Sequence, residues 1–140
     1  METDQRPRIL VVEDEEQIAK LLTRYLTSVG FDAHSETFGE SALRYAEEHH
    51  PRLVILDLRL PDMHGYEVCK QLRKLHHSWA LPILMLTGMD APIDKLRGFA
   101  YGADAYVTKP FEPPELLPLV SFLLGKHDPS DESFEAPQET

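Results

Sequence analysis

The sequence predicts an α/β domain of (βα)5 type, a doubly wound five-stranded parallel sheet in the order 2-1-3-4-5. Three observations lead there. Ile9–Val12, Leu53–Leu56 and Ile83–Leu86 are short continuous apolar runs, the pattern of strands covered on both faces. Apolar residues at helical spacing fill the intervals between them. Gly30, Gly102 and Gly125 stand where such helices should stop. Strands alternating with helices imply right-handed crossovers with helices on both faces of the sheet.

Taken in order, Ile9–Val12 is the first strand. Ile18, Leu21, Leu22, Tyr25, Leu26 and Val29 form the stripe of the first helix. Phe31–Ser35 is a weaker strand, placed at a sheet edge. Ser41 to His50 makes a less regular second helix that Pro51 stops. Leu53–Leu56 is the third strand, and Val68, Leu72 and Leu75 stripe the third helix, with Cys69 among them as inert core filler. Ile83–Leu86 is the fourth strand, and Ile93, Leu96 and Ala100 mark a fourth helix. Ala105–Val107 is the other edge strand, and Leu116, Val120 and Leu123 mark the last helix. The domain is expected over residues 8–125, after an extension at 1–7. From residue 126 onward the chain carries five acids and one bulky apolar residue, Phe134, and reads as a disordered tail or linker.

Composition narrows the function. A net charge of −10 argues against a direct nucleic-acid surface. No apolar run reaches 18 residues, so no membrane span is expected, and METDQRPR lacks a signal peptide's apolar core. A single cysteine excludes an internal disulfide framework and fits a reducing cytoplasm.

In an open α/β sheet the site lies beyond the carboxyl ends of the strands. The first strand leads into Glu13-Asp14, the third into Asp57, the fourth into Thr87-Gly88, and the fifth, after Thr108, into Lys109-Pro110. Singly, each has a plain role: Asp57, Glu13 and Asp14 as caps, Thr87 as a turn residue, Lys109 as a solvated lysine. Their coincidence at four strand ends favours one shared crevice. Three acids together need a counter-charge, and an oxygen-only cluster suits Mg²⁺. A carboxylate beside such an ion is a nucleophile toward phosphorus, with Lys109 offsetting charge on a transferring phosphoryl group.

With these residues in place, the stretches "ILVVEDE", "LVILDLRLPDMHGYEV", "PILMLTG" and "GADAYVTKPF" resemble the receiver domain of two-component response regulators, the CheY-like family. The likeness covers residues 8–125. It implies that Asp57 accepts phosphate from a sensor histidine kinase or a histidine phosphotransfer protein. It also implies that Glu13, Asp14, Asp57 and the Arg59 backbone carbonyl bind Mg²⁺, with Mn²⁺ as a substitute. Thr87 and Lys109 would contact the phosphoryl oxygens, Tyr106 would be a rotating aromatic switch, and the Lys109–Pro110 bond would be cis. Phosphorylation adds roughly −1.5 to −2 charge; Thr87 moving toward it would open space for Tyr106. The face built from the fourth helix, fifth strand and last helix would then signal to a downstream protein or fused output domain.

The chemistry so implied is one stoichiometric self-phosphorylation with slow dephosphorylation, not enzymatic turnover. A Mg²⁺-dependent phosphohydrolase of similar topology is the alternative; it needs an acid two residues past the nucleophile, where Arg59 stands. An unphosphorylated interaction platform would normally have lost an acid or the lysine, and none is missing. Arg59 and Met89 flank the phosphoryl approach in this family and are expected to tune dephosphorylation. Receivers of winged-helix transcription factors dimerise through charged pairs at positions that here read Ala100, Ala105 and Leu119, so that dimer is not expected. His49-His50 and His76-His77 read as solvated helix ends, His64 as a turn residue and Trp79 as partial core.

Overall fold

The computed structural model describes residues 6–76, 81–88, 96 and 99–126. Five parallel strands form one sheet: β1 Arg8–Val12, β2 Asp32–Glu36, β3 Leu53–Asp57, β4 Ile83–Thr87 and β5 Ala105–Thr108. Their order is β2-β1-β3-β4-β5, with the two less apolar strands at the edges as expected. The helices are α1 Glu16–Ser28, α2 Gly39–His49, α3 Gly65–His76 and α4 Pro113–Lys126. Of the expected helix around Ile93, Leu96 and Ala100, residues 96, 99 and 100 are helical and the remainder lies outside the described residues, as do Met89, His77, Trp79 and residues 127–140 of the expected tail.

Alternation along each strand divides the core. Ile9, Val11, Leu53, Ile55, Leu84 and Leu86 face α1 and α4, against Leu22, Leu26, Leu116, Val120 and Leu123. Leu10, Val12, Val54, Leu56, Ile83 and Met85 face α2 and α3, against Ala42, Ala46, Val68, Cys69 and Leu72. The period-2 pleat sends successive side chains to opposite faces, so a run apolar at every position is what a two-sided core requires. Cys69 is buried as expected; burial is the chief cause that pushes its thiol up to about 11, which makes it a poor nucleophile.

Several boundaries shift from the sequence reading. Strand β2 is Asp32–Glu36, one residue later than expected. The apolar stripe of α1 is narrower, because Leu21 and Val29 are exposed and the helix ends at Ser28. Leu75 is likewise exposed. Gly30 and Gly102 do take the left-handed φ values that end helices, +105° and +110°. Gly125 does not end its helix, which continues through Lys126. Helix α2 begins at Gly39 rather than Ser41; its own N-cap position is Phe38, which offers no side-chain hydrogen bond. The cap arrives from elsewhere in the chain: the Gly39 and Glu40 amides donate to Asp62 Oδ1 and Oδ2 at 2.7 and 3.0 Å.

Candidate acceptor and metal site

The register of the sheet assembles the site. Val12 is paired with Leu56, so Glu13 and Asp57 follow side by side. Asp57 is paired with Leu86 and Thr87 with Thr108, which puts Thr87 and then Lys109 at the same sheet edge. Asp57 answers an apparent contradiction in the sequence: the last residue of a fully buried strand is charged because the strand end meets a cleft. That cleft, about 470 Å³, is lined by Asp14, Glu15, Asp57, Arg59, Gly88 and Lys109.

Carboxylate oxygens of Glu13, Asp14 and Asp57 lie within 4.8 Å of one another. Glu13 and Asp57 are buried, and Asp14 is exposed. The ammonium of Lys109 reaches Glu13 Oε1 at 2.9 Å, Asp57 Oδ2 at 3.3 Å and Glu15 Oε1 at 3.4 Å. Glu13 Oε2 accepts from the Glu15 amide at 3.1 Å. Glu13 Oε1 is buried with no aligned hydrogen bond, so the nearby ammonium balances its charge without satisfying its lone pairs. Burial, reinforced by the Asp57 charge, raises the Glu13 carboxyl to about 7 against the pull of Lys109. Burial opposes the charge on Lys109, but the close ionic contact with Glu13 and the charges of Asp57 and Glu13 outweigh it, and the lysine pKa rises. The lysine therefore stays cationic at neutral pH.

This donor set fits a hard divalent cation: three carboxylates, no nitrogen or sulfur, and one buried oxygen still lacking a directed partner. Asp57 Oδ1 accepts from the Arg59 amide at 3.4 Å. The loop that carries Arg59 is folded tightly on itself. The Gly65 amide donates to the Leu58 carbonyl at 2.6 Å, and Arg59 and His64 form an antiparallel bridge. A Cβ at Gly65 would lie 2.6 Å from the Asp57 carbonyl oxygen, so this close return of the chain needs glycine.

The remaining expected residues fall as follows. Thr87 closes β4 at the cleft edge. Tyr106 lies on β5, half-buried, packed on the α2–α3 side of the core, 6.5 Å ring to ring from Phe99. The Lys109–Pro110 peptide is cis. His64 holds the turn by accepting from the Tyr66 amide at 3.3 Å and packing on the Tyr66 ring at 4.6 Å. His49 stacks on Tyr45. Of the three positions expected to lack dimer charges, Ala100 is exposed, whereas Ala105 and Leu119 pack half-buried against the core. The sequence reading missed Glu15, whose signal was its place in the acidic run Glu13–Glu16, and Asp62, which has no local signal because its partners lie 22 and 23 residues away.

The family model of the response regulator receiver domain matches residues 9–121. Over 121 residues the chain is 46% identical to the alkaline phosphatase synthesis transcriptional regulatory protein PhoP of Bacillus subtilis, covering 86% of this chain and 50% of that protein. It is 42% identical over 123 residues to the phosphate regulon transcriptional regulatory protein PhoB of Rhizobium meliloti, covering 88% and 54%. The chain thus spans about half the length of these curated relatives. Among solved structures it resembles a CheY-like receiver domain protein of Methanospirillum hungatei, with a TM-score of 0.82, 28% identity and coverage of 88% and 97%. It also resembles the chemotaxis response regulator CheY4 of Vibrio cholerae, with 0.80, 30%, and 85% and 99%. A parallel α/β sheet carrying acids and a lysine at its strand ends is the plan of a two-component signalling receiver. The chain belongs to the response regulator receiver domain family.

Proposed function

We propose that this chain is a phosphoacceptor switch in which Asp57 takes a phosphoryl group from the phosphohistidine of a sensor histidine kinase or phosphotransfer protein. The observation that carries this reading is the setting of Asp57. It ends the central strand, opens on the cleft, and has Lys109 at 3.3 Å. An Asp57 oxygen forms the new O–P bond as the P–N bond breaks and its electron pair returns to the imidazole. Lys109, kept charged by its acidic neighbours, offsets the negative charge on the transferring group. Glu13, Asp14, Asp57 and the Arg59 carbonyl would hold Mg²⁺, or Mn²⁺ in its place, which when bound supplies further positive charge at the phosphoryl oxygens.

Thr87 donates its hydroxyl to a phosphoryl oxygen, and Tyr106 turns in response. The output face then includes the exposed Leu96, Phe99 and Tyr101, offered to a downstream protein or fused output domain. The transfer is stoichiometric and the domain does not turn over an external substrate. Among the described residues no helix is long and apolar enough to cross a membrane. We read the chain as a cytoplasmic module, and its net charge of −10 disfavours direct contact with nucleic acid.

Intact-mass spectrometry with a small acyl phosphate donor tests the reading. One phosphoryl group should appear with Mg²⁺, none with a chelator, and none on Asp57→Asn. Unchanged phosphorylation of Asp57→Asn would remove the assignment.

A further inference from the structure

We infer that Asp62 is a positioning residue for the acceptor loop, holding the backbone around Arg59 in its Mg²⁺-binding form by capping a different helix. The inference rests on the proposed phosphoacceptor reading and goes beyond it, because Asp62 touches neither the cation site nor the phosphoryl group.

Helix α2 begins without a capping side chain of its own, since Phe38 occupies the N-cap. Its first amides would otherwise depend on water. The Asp62 carboxylate, 23 and 22 residues along the chain, accepts from both the Gly39 and Glu40 amides at 2.7 and 3.0 Å. A carboxylate at a helix N-terminus gains from both the hydrogen bonds and the helix dipole.

The bond is reciprocal. What Asp62 gives to α2 as a cap, α2 gives to the loop as an anchor. Met63 adds a second point of attachment: a Cβ at Gly39 would fall 2.5 Å from Met63 Cγ, so the loop lies directly against the helix start.

At its other end the same loop begins at Asp57, with the Arg59 amide on Asp57 Oδ1 and the Arg59–His64 bridge closing it. Between these ties Pro61 and Asp62 are exposed, while Leu60 and Met63 are half-buried against the α2–α3 side of the core. The Asp62 tether therefore holds the exposed tip of the loop, which the packing of its neighbours does not fix by itself. Loss of the tether lets residues 59–63 move and disorders the carbonyl expected to face the cation. It leaves the three carboxylates and Lys109 in place, since these stand on strand ends.

The experiment compares Asp62→Ala, Asp62→Asn and Arg44→Gly with the unaltered protein, by calorimetric Mg²⁺ titration and amide hydrogen exchange over residues 58–64. Arg44 is exposed in mid-helix, ion-paired with Glu40 at 3.9 Å, and glycine there weakens α2 by propensity alone. Asp62→Ala should weaken Mg²⁺ binding about tenfold, equivalent to about 1.4 kcal/mol, and speed exchange across the loop. Asp62→Asn, which keeps one acceptor oxygen for one of the two amides, should recover part of both. Arg44→Gly should leave the Mg²⁺ affinity within about twofold, because a weakened helix alone does not move the loop.

Unchanged affinity in Asp62→Ala overturns the inference while leaving the phosphoacceptor reading intact. Equal weakening by Arg44→Gly also overturns it, by reducing Asp62 to helix stability. No Mg²⁺ binding by the unaltered protein overturns both. If Asp62→Ala does not fold, Asp62→Glu carries the test. Its carboxylate is one methylene too long for the same paired geometry; a severalfold loss of affinity supports the inference, and an unchanged affinity sinks it.

Discussion

Replacing Arg73 by alanine should cost this domain about 3–5 kcal/mol of its stability, although Arg73 is remote from the acceptor cleft. The guanidinium ties three segments together. Its Nη1 donates to the Leu81 carbonyl ahead of β4, and its Nε and Nη2 donate to the Gly102 carbonyl ahead of β5. Nη2 also reaches Asp104 Oδ2 at 2.8 Å. That oxygen accepts from the Ile83 amide at 2.8 Å, so the network pins the entrances of two neighbouring strands. The two side chains are 13% and 19% exposed, close enough to buried that solvent screens the pair only weakly. Truncating one partner of such a pair costs about 3–5 kcal/mol, chiefly because it strands the other charge. Each carbonyl left without a donor adds up to about 1–3 kcal/mol, not additively. Against a total of about 5–15 kcal/mol for a domain, a loss of about 3–5 kcal/mol is severe. Urea denaturation followed by far-ultraviolet circular dichroism measures it, with Asp104→Asn and the double variant completing a thermodynamic cycle. The double variant should be at least about 1 kcal/mol more stable than the sum of the single losses implies. A loss below about 1 kcal/mol for Arg73→Ala, or strict additivity in the cycle, would refute the argument.

Glu13 sets a pH dependence: its carboxyl rises from 4.5 to about 7 on folding, so between those values the folded state keeps a proton that the unfolded state releases. Stability without divalent ions should therefore fall by up to about 3 kcal/mol as pH rises from about 4.5 to 7 and then level off; Glu13→Gln should flatten that slope in denaturation curves, and Mg²⁺ should restore stability at pH 8. Arg59 and Met89 should shield the phosphoryl group from water, giving a phosphorylated state that lasts many minutes. Arg59→Asn with Met89→Glu should speed its decay about tenfold, about 1.4 kcal/mol of barrier, and equal decay rates by intact mass would end that idea. With Ala100, Ala105 and Leu119 at the expected charge positions, the phosphoryl-mimic form should not make the charged dimer of winged-helix regulators; a symmetric dimer held by ion pairs through that face, in a structure of the beryllofluoride complex, would count against this.

The reacting groups that were legible in the sequence share one property: each stands at the end of a strand or directly past it, where an apolar run announces it. Glu13 follows Val12, Asp57 follows Leu56 as the last residue of β3, and Lys109 follows the Ala105–Thr108 edge strand, so pattern and parallel topology together bring them to one edge. The illegible parts depend on contacts between loops and helices far apart in sequence, where no periodicity carries a signal. Phe38 is the clearest instance. The sequence reading starts α2 at Ser41, past Phe38, which is not a residue that caps helices. The helix starts earlier because its cap, Asp62, comes from the loop after β3. Arg73 and Asp104 escape notice for the same reason: a charged residue on an otherwise ordinary helix shows nothing of the Gly102 carbonyl it will meet 29 residues later. The exposed residues of the α1 stripe, Leu21 and Val29, err in the opposite direction, since a helix on a sheet buries only the arc that faces it. Strand ends can therefore specify the reacting groups cheaply, one position at a time. Keeping those groups in register falls to distant pairs such as Asp62 with Gly39 and Arg73 with Asp104, and a sequence that preserved every strand-end residue but lost these pairs would still display the motifs while losing the rigid loop and strand entrances that make them a site.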